Sequence, residues 1–168
     1  AIDPARHHVF IWSTAGGPAV RVPLAGSAQV ASNSALDWSP DGTKVVVSMR
    51  APERDRQASD RFRALTRGPI IVHSSTDPFL EWDDLNRAGR WRSVAEVDVR
   101  TGAVTTRVPE RKLTSFQVPR DHSFVVYQED VTEKTDYDTI GGSETRLLLA
   151  RPGGSEPDWL PIVRQARE

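Results

Sequence analysis

Ser39-Pro40-Asp41-Gly42 restricts the fold of this chain more than any other string in it. Proline presets the backbone at the first corner of a tight turn, and glycine accepts the conformation that closes it. The turn stands between two strand-like runs, Ala35 to Trp38 and Lys44 to Met49. A turn of that make between an aromatic-ended run and a valine-rich run predicts a β-hairpin. On this reading Trp38 is buried at the end of an inner strand, and Gly42 holds a conformation that a Cβ disfavours.

The same grammar recurs along the 168 residues. Val9 to Trp12 and Ala19 to Leu24 read as strands around Ala15-Gly16-Gly17-Pro18. Ser93 to Arg100 alternates, with Ala95, Val97 and Val99 on one face and Glu96, Asp98 and Arg100 on the other. Thr101-Gly102 turns the chain, and Val104 to Val108 returns. Leu113 to Val118 and Ser123 to Glu129 flank Pro119-Arg120-Asp121-His122, and Thr145 to Ala150 and Trp159 to Val163 flank Arg151-Pro152-Gly153-Gly154. Leu36-Asp37-Trp38-Ser39-Pro40-Asp41-Gly42 aligns with Ser115-Phe116-Gln117-Val118-Pro119-Arg120-Asp121, and the Thr101-Gly102 turn with Pro152-Gly153. The order is half a four-stranded unit, then one unit, then a second.

Two insertions stretch that period, residues 51–91 and residues 130–144. In the first, Asp77 suits a helix cap, Pro78 the first helical position and Gly89 the exit, which predicts a helix over 77–88. Phe79, Trp82 and Leu85 then form one apolar stripe, expected to pack on the sheet. A second helix is expected over Ser59 to Arg67, ending at Gly68.

Leu36-Asp37-Trp38-Ser39-Pro40-Asp41-Gly42-Thr43-Lys44 resembles the blade hairpin of TolB-type β-propellers and of prolyl oligopeptidase-family serine peptidases. Ser74-Ser75-Thr76-Asp77-Pro78-Phe79-Leu80-Glu81-Trp82-Asp83-Asp84-Leu85 is similar to propeller insertions of bacterial members of that peptidase family. The fold expected is all-β: an incomplete β-propeller over 1–168, of about two and a half four-stranded blades with a short helical insertion. At roughly 40–45 residues per blade, with two insertions, such a chain does not close alone. The resemblance implies a propeller that caps an α/β-hydrolase domain and selects the peptides reaching its Ser-Asp-His triad. It implies as partners that hydrolase domain and peptides, with self-association through open sheet edges a further expectation. A TolB-like or WD-type scaffold for protein binding is the alternative. Ala1 in place of an initiator methionine fits a chain processed or cut from a longer one.

No catalytic residue is expected on this chain. A nucleophile elbow needs Gly-x-Ser-x-Gly at a strand-to-helix turn. The nearest string, Gly141-Gly142-Ser143-Glu144-Thr145, ends in Thr and sits in a polar loop. With no cysteine and four histidines, of which His7 and His8 are adjacent and face opposite sides of a strand, no metal or other cofactor is expected. Glu133, Asp136 and Asp138 lack the ordered Asp/Asn-Gly loop of a calcium site. A net charge of −1 argues against nucleic acid or anionic membrane as partners, and no 18-residue apolar run spans a bilayer. The arginines at 50, 54, 56, 61, 63 and 67 interleave with Glu53, Asp55 and Asp60, which reads as an internally paired surface. Glu81, Asp83 and Asp84 have two readings. They complement the N-terminal dipole of the 77–88 helix. Alternatively, as the resemblance implies, they hold the cationic amino terminus of a peptide substrate.

Overall fold

The computed structural model describes residues 7–25, 29–74, 76–135, 138, 142–153 and 157–160, the last two as backbone. The tail expected to continue a strand to Val163, together with Gly141 and Asp136, lies outside the described residues.

The fold is antiparallel β-sheet with two helices. Strands β1 (Phe10–Ile11) and β2 (Val20–Arg21) form a separate ribbon. Strands β3 (Gln29–Val30) and β4 (Leu36–Trp38) lie end to end along one side of β5 (Lys44–Arg50). Helices α1 (Pro52–Leu65) and α2 (Glu81–Ala88) follow, then β6 (Trp91–Asp98), β7 (Val104–Gln117), β8 (Val125–Asp130), β9 (Thr145–Ala150) and β10 (Asp158–Leu160). Each strand from β5 to β10 pairs with its chain neighbour. Among the described residues the path ends openly on β3/β4 and on β10.

Strand β7 joins two four-stranded meanders. Its first part, through Lys112, pairs with β6, and from Leu113 onward it pairs with β8. The sequence pattern suggests two strands here, Val104 to Val108 and Leu113 to Val118. The backbone instead runs through, and Pro109 and Glu110 fall at a register shift between the pairs Val94–Val108 and Arg92–Arg111. A bulge is where a strand tolerates a proline that cannot donate to the ladder.

The first meander is covered on both faces. Val45, Val47 and Met49 of β5 pack with Ala95 and Val97 of β6 against Val9 and Val22 beside the ribbon. Val46 points the other way, into a cluster with Val94, Val108, Leu113, Val125, Tyr127 and Leu148 that joins the two meanders. Alternation sends successive side chains to opposite faces, so burial on both explains the near-continuous apolar run of β5. Val45, Val46 and Val47 are at most 1% exposed.

The first hairpin forms as expected, and its turn is built by Asp41. Its carboxylate accepts hydrogen bonds from the Ser39 hydroxyl at 2.6 Å, the Thr43 amide at 3.0 Å and the Thr43 hydroxyl at 2.8 Å. These bonds, the Ser39 hydroxyl foremost, lower its pKa to about 2. Gly42 has φ +67°. Trp38, expected in the core, is 47% exposed, because β4 is an edge strand whose Leu36 and Trp38 face is uncovered. The second hairpin repeats the first one residue out of the alignment suggested by its prolines. Leu36–Val47 and Asp37–Val46 correspond to Phe116–Tyr127 and Gln117–Val126. Asp121 therefore matches Asp41, accepting from the Ser123 hydroxyl and amide. His122, with φ +55°, takes the place of Gly42.

Gly102, with φ +73°, closes the β6–β7 turn below an Asp98 carboxylate that accepts from the Thr101 amide and hydroxyl. A Cβ there would stand 1.4 Å from the Pro23 carbonyl oxygen, whereas at Gly42 it would meet open space. Gly102→Ala should therefore cost about 3 kcal/mol or more, through strain plus displacement of the segment after β2. Gly42→Ala should cost about 1 kcal/mol, from the left-handed backbone alone. Urea denaturation of the two variants, compared with the parent, measures the difference.

Candidate functional site

Helix α2 is placed by contacts that its own sequence does not contain. A helix over 77–88 was expected, but the first helical residue is Glu81, and Leu80 is still extended at the N-cap. The Pro78 carbonyl accepts the Thr135 amide at 2.6 Å, and the Leu80 amide donates to the Thr135 hydroxyl at 3.1 Å. Residues 78–80 are thus engaged by the second insertion and are not free to coil. The Glu81 amide donates to His73 Nδ1 at 3.3 Å, so two exposed helix-end donors are met from outside the helix and Asp77 makes no cap.

The first insertion also holds a longer helix than the expected 59–67 segment. Pro52 occupies the first turn of α1 and Glu53 and Asp55 follow, an arrangement that favours a helix start. Asp55 accepts from Arg50 Nε and from Gln29 Nε2, tying the start of α1 to β5 and β3. Most of the arginine run is paired: Arg50 with Asp55, Arg54 with Glu110, Arg56 with Glu53, Arg61 with Asp84 and Arg63 with Asp60. The Arg54 guanidinium also lies 4.5 Å from the Trp91 ring centroid.

The two insertions meet at Arg87. This side chain is 2% exposed, and Nη1 donates to both oxygens of Asp130, at 3.0 and 2.7 Å. Nε donates to Asp83 at 3.0 Å and Nη2 to the Gly142 carbonyl at 2.7 Å. Its guanidinium lies over the Phe79 ring, 4.9 Å from the centroid. Arg90 adds a second cation to Asp130, and the Thr132 amide and hydroxyl donate to the same carboxylate. Burial pushes the Asp130 carboxyl upward, but the Thr132 hydrogen bonds and the Arg90 and Arg87 charges overcome it. The group titrates below the usual carboxylate range.

The three acidic candidates separate accordingly. Asp83 is turned inward, accepting from Arg87 and from the Thr135 hydroxyl at 3.1 Å. Asp84 pairs with Arg61 of α1. The Glu81 carboxylate has no hydrogen bond or ion pair among the described residues. The apolar stripe separates too. Phe79 precedes the helix, and Trp82, 40% exposed, packs edge-on against Phe62 of α1 at 5.9 Å and not on the sheet. Phe62, Ile70, Val72 and Trp82 leave the first insertion with exposed apolar surface.

Ser143 accepts a hydrogen bond from Arg90 Nη1 at 3.0 Å, and among the described residues no histidine or carboxylate is bonded to it. His122 is buried in the second hairpin turn, outside both insertions. Among the described residues no cluster of three or more His, Asp and Glu side chains could hold a metal ion, and no helix is long and apolar enough to cross a membrane. Neither a protein-family model nor a curated protein sequence matches this chain. The sequence context does not single out Arg87 and Asp130; the local signal is a lone arginine on the inner side of an otherwise acidic helix.

Removing one partner of a buried ion cluster strands the others. Arg87→Met should therefore destabilise the chain by about 3–5 kcal/mol. Because the folded-state pKa of Asp130 lies below its unfolded value of ~3.9, its contribution is complete above that pH and is lost as pH falls through the folded value. Asp130→Asn should lower stability at neutral pH and flatten the acid limb of a stability-versus-pH curve, measured by urea melts between pH 7 and pH 2.

Proposed function

We propose that this chain is a non-catalytic propeller segment of a serine peptidase of the prolyl oligopeptidase family, which admits and selects peptides for a hydrolase domain elsewhere in the parent protein. Two observations support the blade reading: the paired four-stranded meanders stack face to face, and their first hairpins share one register and one Asp-built turn. Antiparallel four-stranded units repeated in this way are the propeller element. The arrangement of the insertions carries the functional reading. Each leaves between the second and third strands of its meander, and the two are clamped together by Arg87. They make one joined projection bearing Glu81, whose carboxylate has no partner among the described residues.

In this role Glu81 receives the ammonium group of a peptide amino terminus. Asp83 and Asp84 position the helix through Arg87 and Arg61 and do not contact the substrate. The exposed Phe62, Ile70, Val72 and Trp82 offer apolar surface to the hydrolase domain or to the peptide.

The parent reading frame should encode Gly-x-Ser-x-Gly followed by an aspartate and a histidine downstream of Glu168. Its absence would leave the protein-binding scaffold as the better reading. In the full-length enzyme, Glu81→Gln should reduce kcat/KM roughly tenfold or more on peptides with a free charged amine, since the lost bond is charge-assisted. N-acylated peptides should change by less than about twofold. Steady-state kinetics on a matched pair of substrates makes the comparison; equal loss on both, or none on either, removes the anchor role.

A further inference from the structure

A separate cavity of about 210 Å³, not lined by Glu81, lies where the two meanders meet. Asn33 from the β3–β4 connection, Ser48 of β5, Arg92 of β6 and Thr114, Ser115 and Phe116 of β7 line it. Its charge is unbalanced. Arg92 Nε reaches the Gly89 carbonyl at 3.4 Å, and the side chain has no carboxylate partner among the described residues. The neighbouring cations are both engaged. Arg50 holds Asp55, and Arg111, paired opposite Arg92 on β7, faces Glu129 at 3.6 Å.

A second group in the cavity is also unsatisfied. Ser48 is 3% exposed, and its hydroxyl has no hydrogen-bond partner among the described residues. A buried hydroxyl without a partner is uncommon, and a half-buried guanidinium gains from an anion placed beside it. Burial first, and then the charge of Arg50, pull Arg92 below the usual guanidinium range, with Asp55 opposing. An anion in the cavity would meet an unpaired cation and an unpaired hydroxyl together, while the Thr114 and Ser115 hydroxyls are engaged with Gln128.

We infer that this cavity is a carboxylate-binding site, with Arg92 as its cation and Ser48 as a supporting donor. One uncompensated positive charge matches a monoanion better than a phosphate dianion, and the planar guanidinium fits a carboxylate through two parallel N–H donors. The volume admits a carboxylate and a group of side-chain size. That the carboxylate belongs to a peptide rests on the peptidase reading; the anion site itself does not.

Isothermal titration of the 168-residue chain at low ionic strength tests the site without the hydrolase half, and Glu81→Gln in the same chain should leave the binding unchanged. Three peptides serve as probes: acetyl-Gly-Gly with a free C-terminus, acetyl-Gly-Glu-Gly amide, and the neutral acetyl-Gly-Gln-Gly amide. One or both acidic peptides should bind, and the neutral one should not. Binding of the first alone identifies a terminal carboxylate; binding of the second alone identifies a side-chain carboxylate. Arg92→Gln should weaken binding at least tenfold, Arg92→Lys should retain part of it, and Ser48→Ala should weaken it severalfold. Ser48→Ala also keeps the test decisive should Arg92→Gln alter the circular dichroism spectrum. Binding of the neutral peptide as tight as that of the acidic ones, no binding of any, unchanged affinity in Arg92→Gln, or displacement by inorganic phosphate at equal concentration would overturn the assignment.

Discussion

The structure depends on one strand belonging to two sheets. β7 pairs with β6 through Lys112 and with β8 from Leu113, and the bulge at Pro109 and Glu110 lies in the first ladder shortly before the change of partner. A strand that changes partner along its length must reorient, and an unpaired residue or two is the local means of doing so. The consequence is that one meander stacks on the next, so that Val46 and Val94 of the first meet Val125 and Tyr127 of the second. With the ribbon covering its opposite face, the first meander becomes an interior layer. Its buried valines, and not any loop, hold the arrangement together.

On that frame the insertions depend on buried charge. An isolated guanidinium in the interior is expensive, and the Coulombic return is adequate only when every donor is met. Each of the three guanidinium nitrogens of Arg87 finds an acceptor, in Asp83, Asp130 and the Gly142 carbonyl, while Thr132 and Arg90 complete Asp130. The function of such a cluster is specificity of placement: no other position of α2 satisfies the same set of groups. Glu81 is thereby held in the first turn of the helix, while its two acidic neighbours are paired with Arg87 and Arg61.

Much of the β architecture was legible because turns and alternation are local. Asp41-Gly42-Thr43 and Thr101-Gly102 each carry their own hydrogen-bonding partners within a few residues, and both turns form where the sequence places them. The alternation of Ala95, Val97 and Val99 appears as one packed face. Legibility failed where a partner lay far along the chain. The prolines at 40 and 119 suggest one alignment of the repeats, but the left-handed positions, Gly42 and His122, set another. A histidine gives no outward sign that it will accept φ +55°.

The sequence by itself determined the first hairpin, the β6–β7 turn and the all-β class, because each follows from side chains a few residues apart. Only the tertiary structure decided that α2 begins at Glu81, since the groups that hold 78–80 extended belong to Thr135, far away in the chain. It also decided that Trp38 stands at an uncovered edge, and that Asp83 and Asp84 pair with arginines while Glu81 has no partner among the described residues. Propensity and spacing describe what a segment favours alone. Burial of a charge, or exposure of an aromatic ring, depends on what the rest of the chain brings against it.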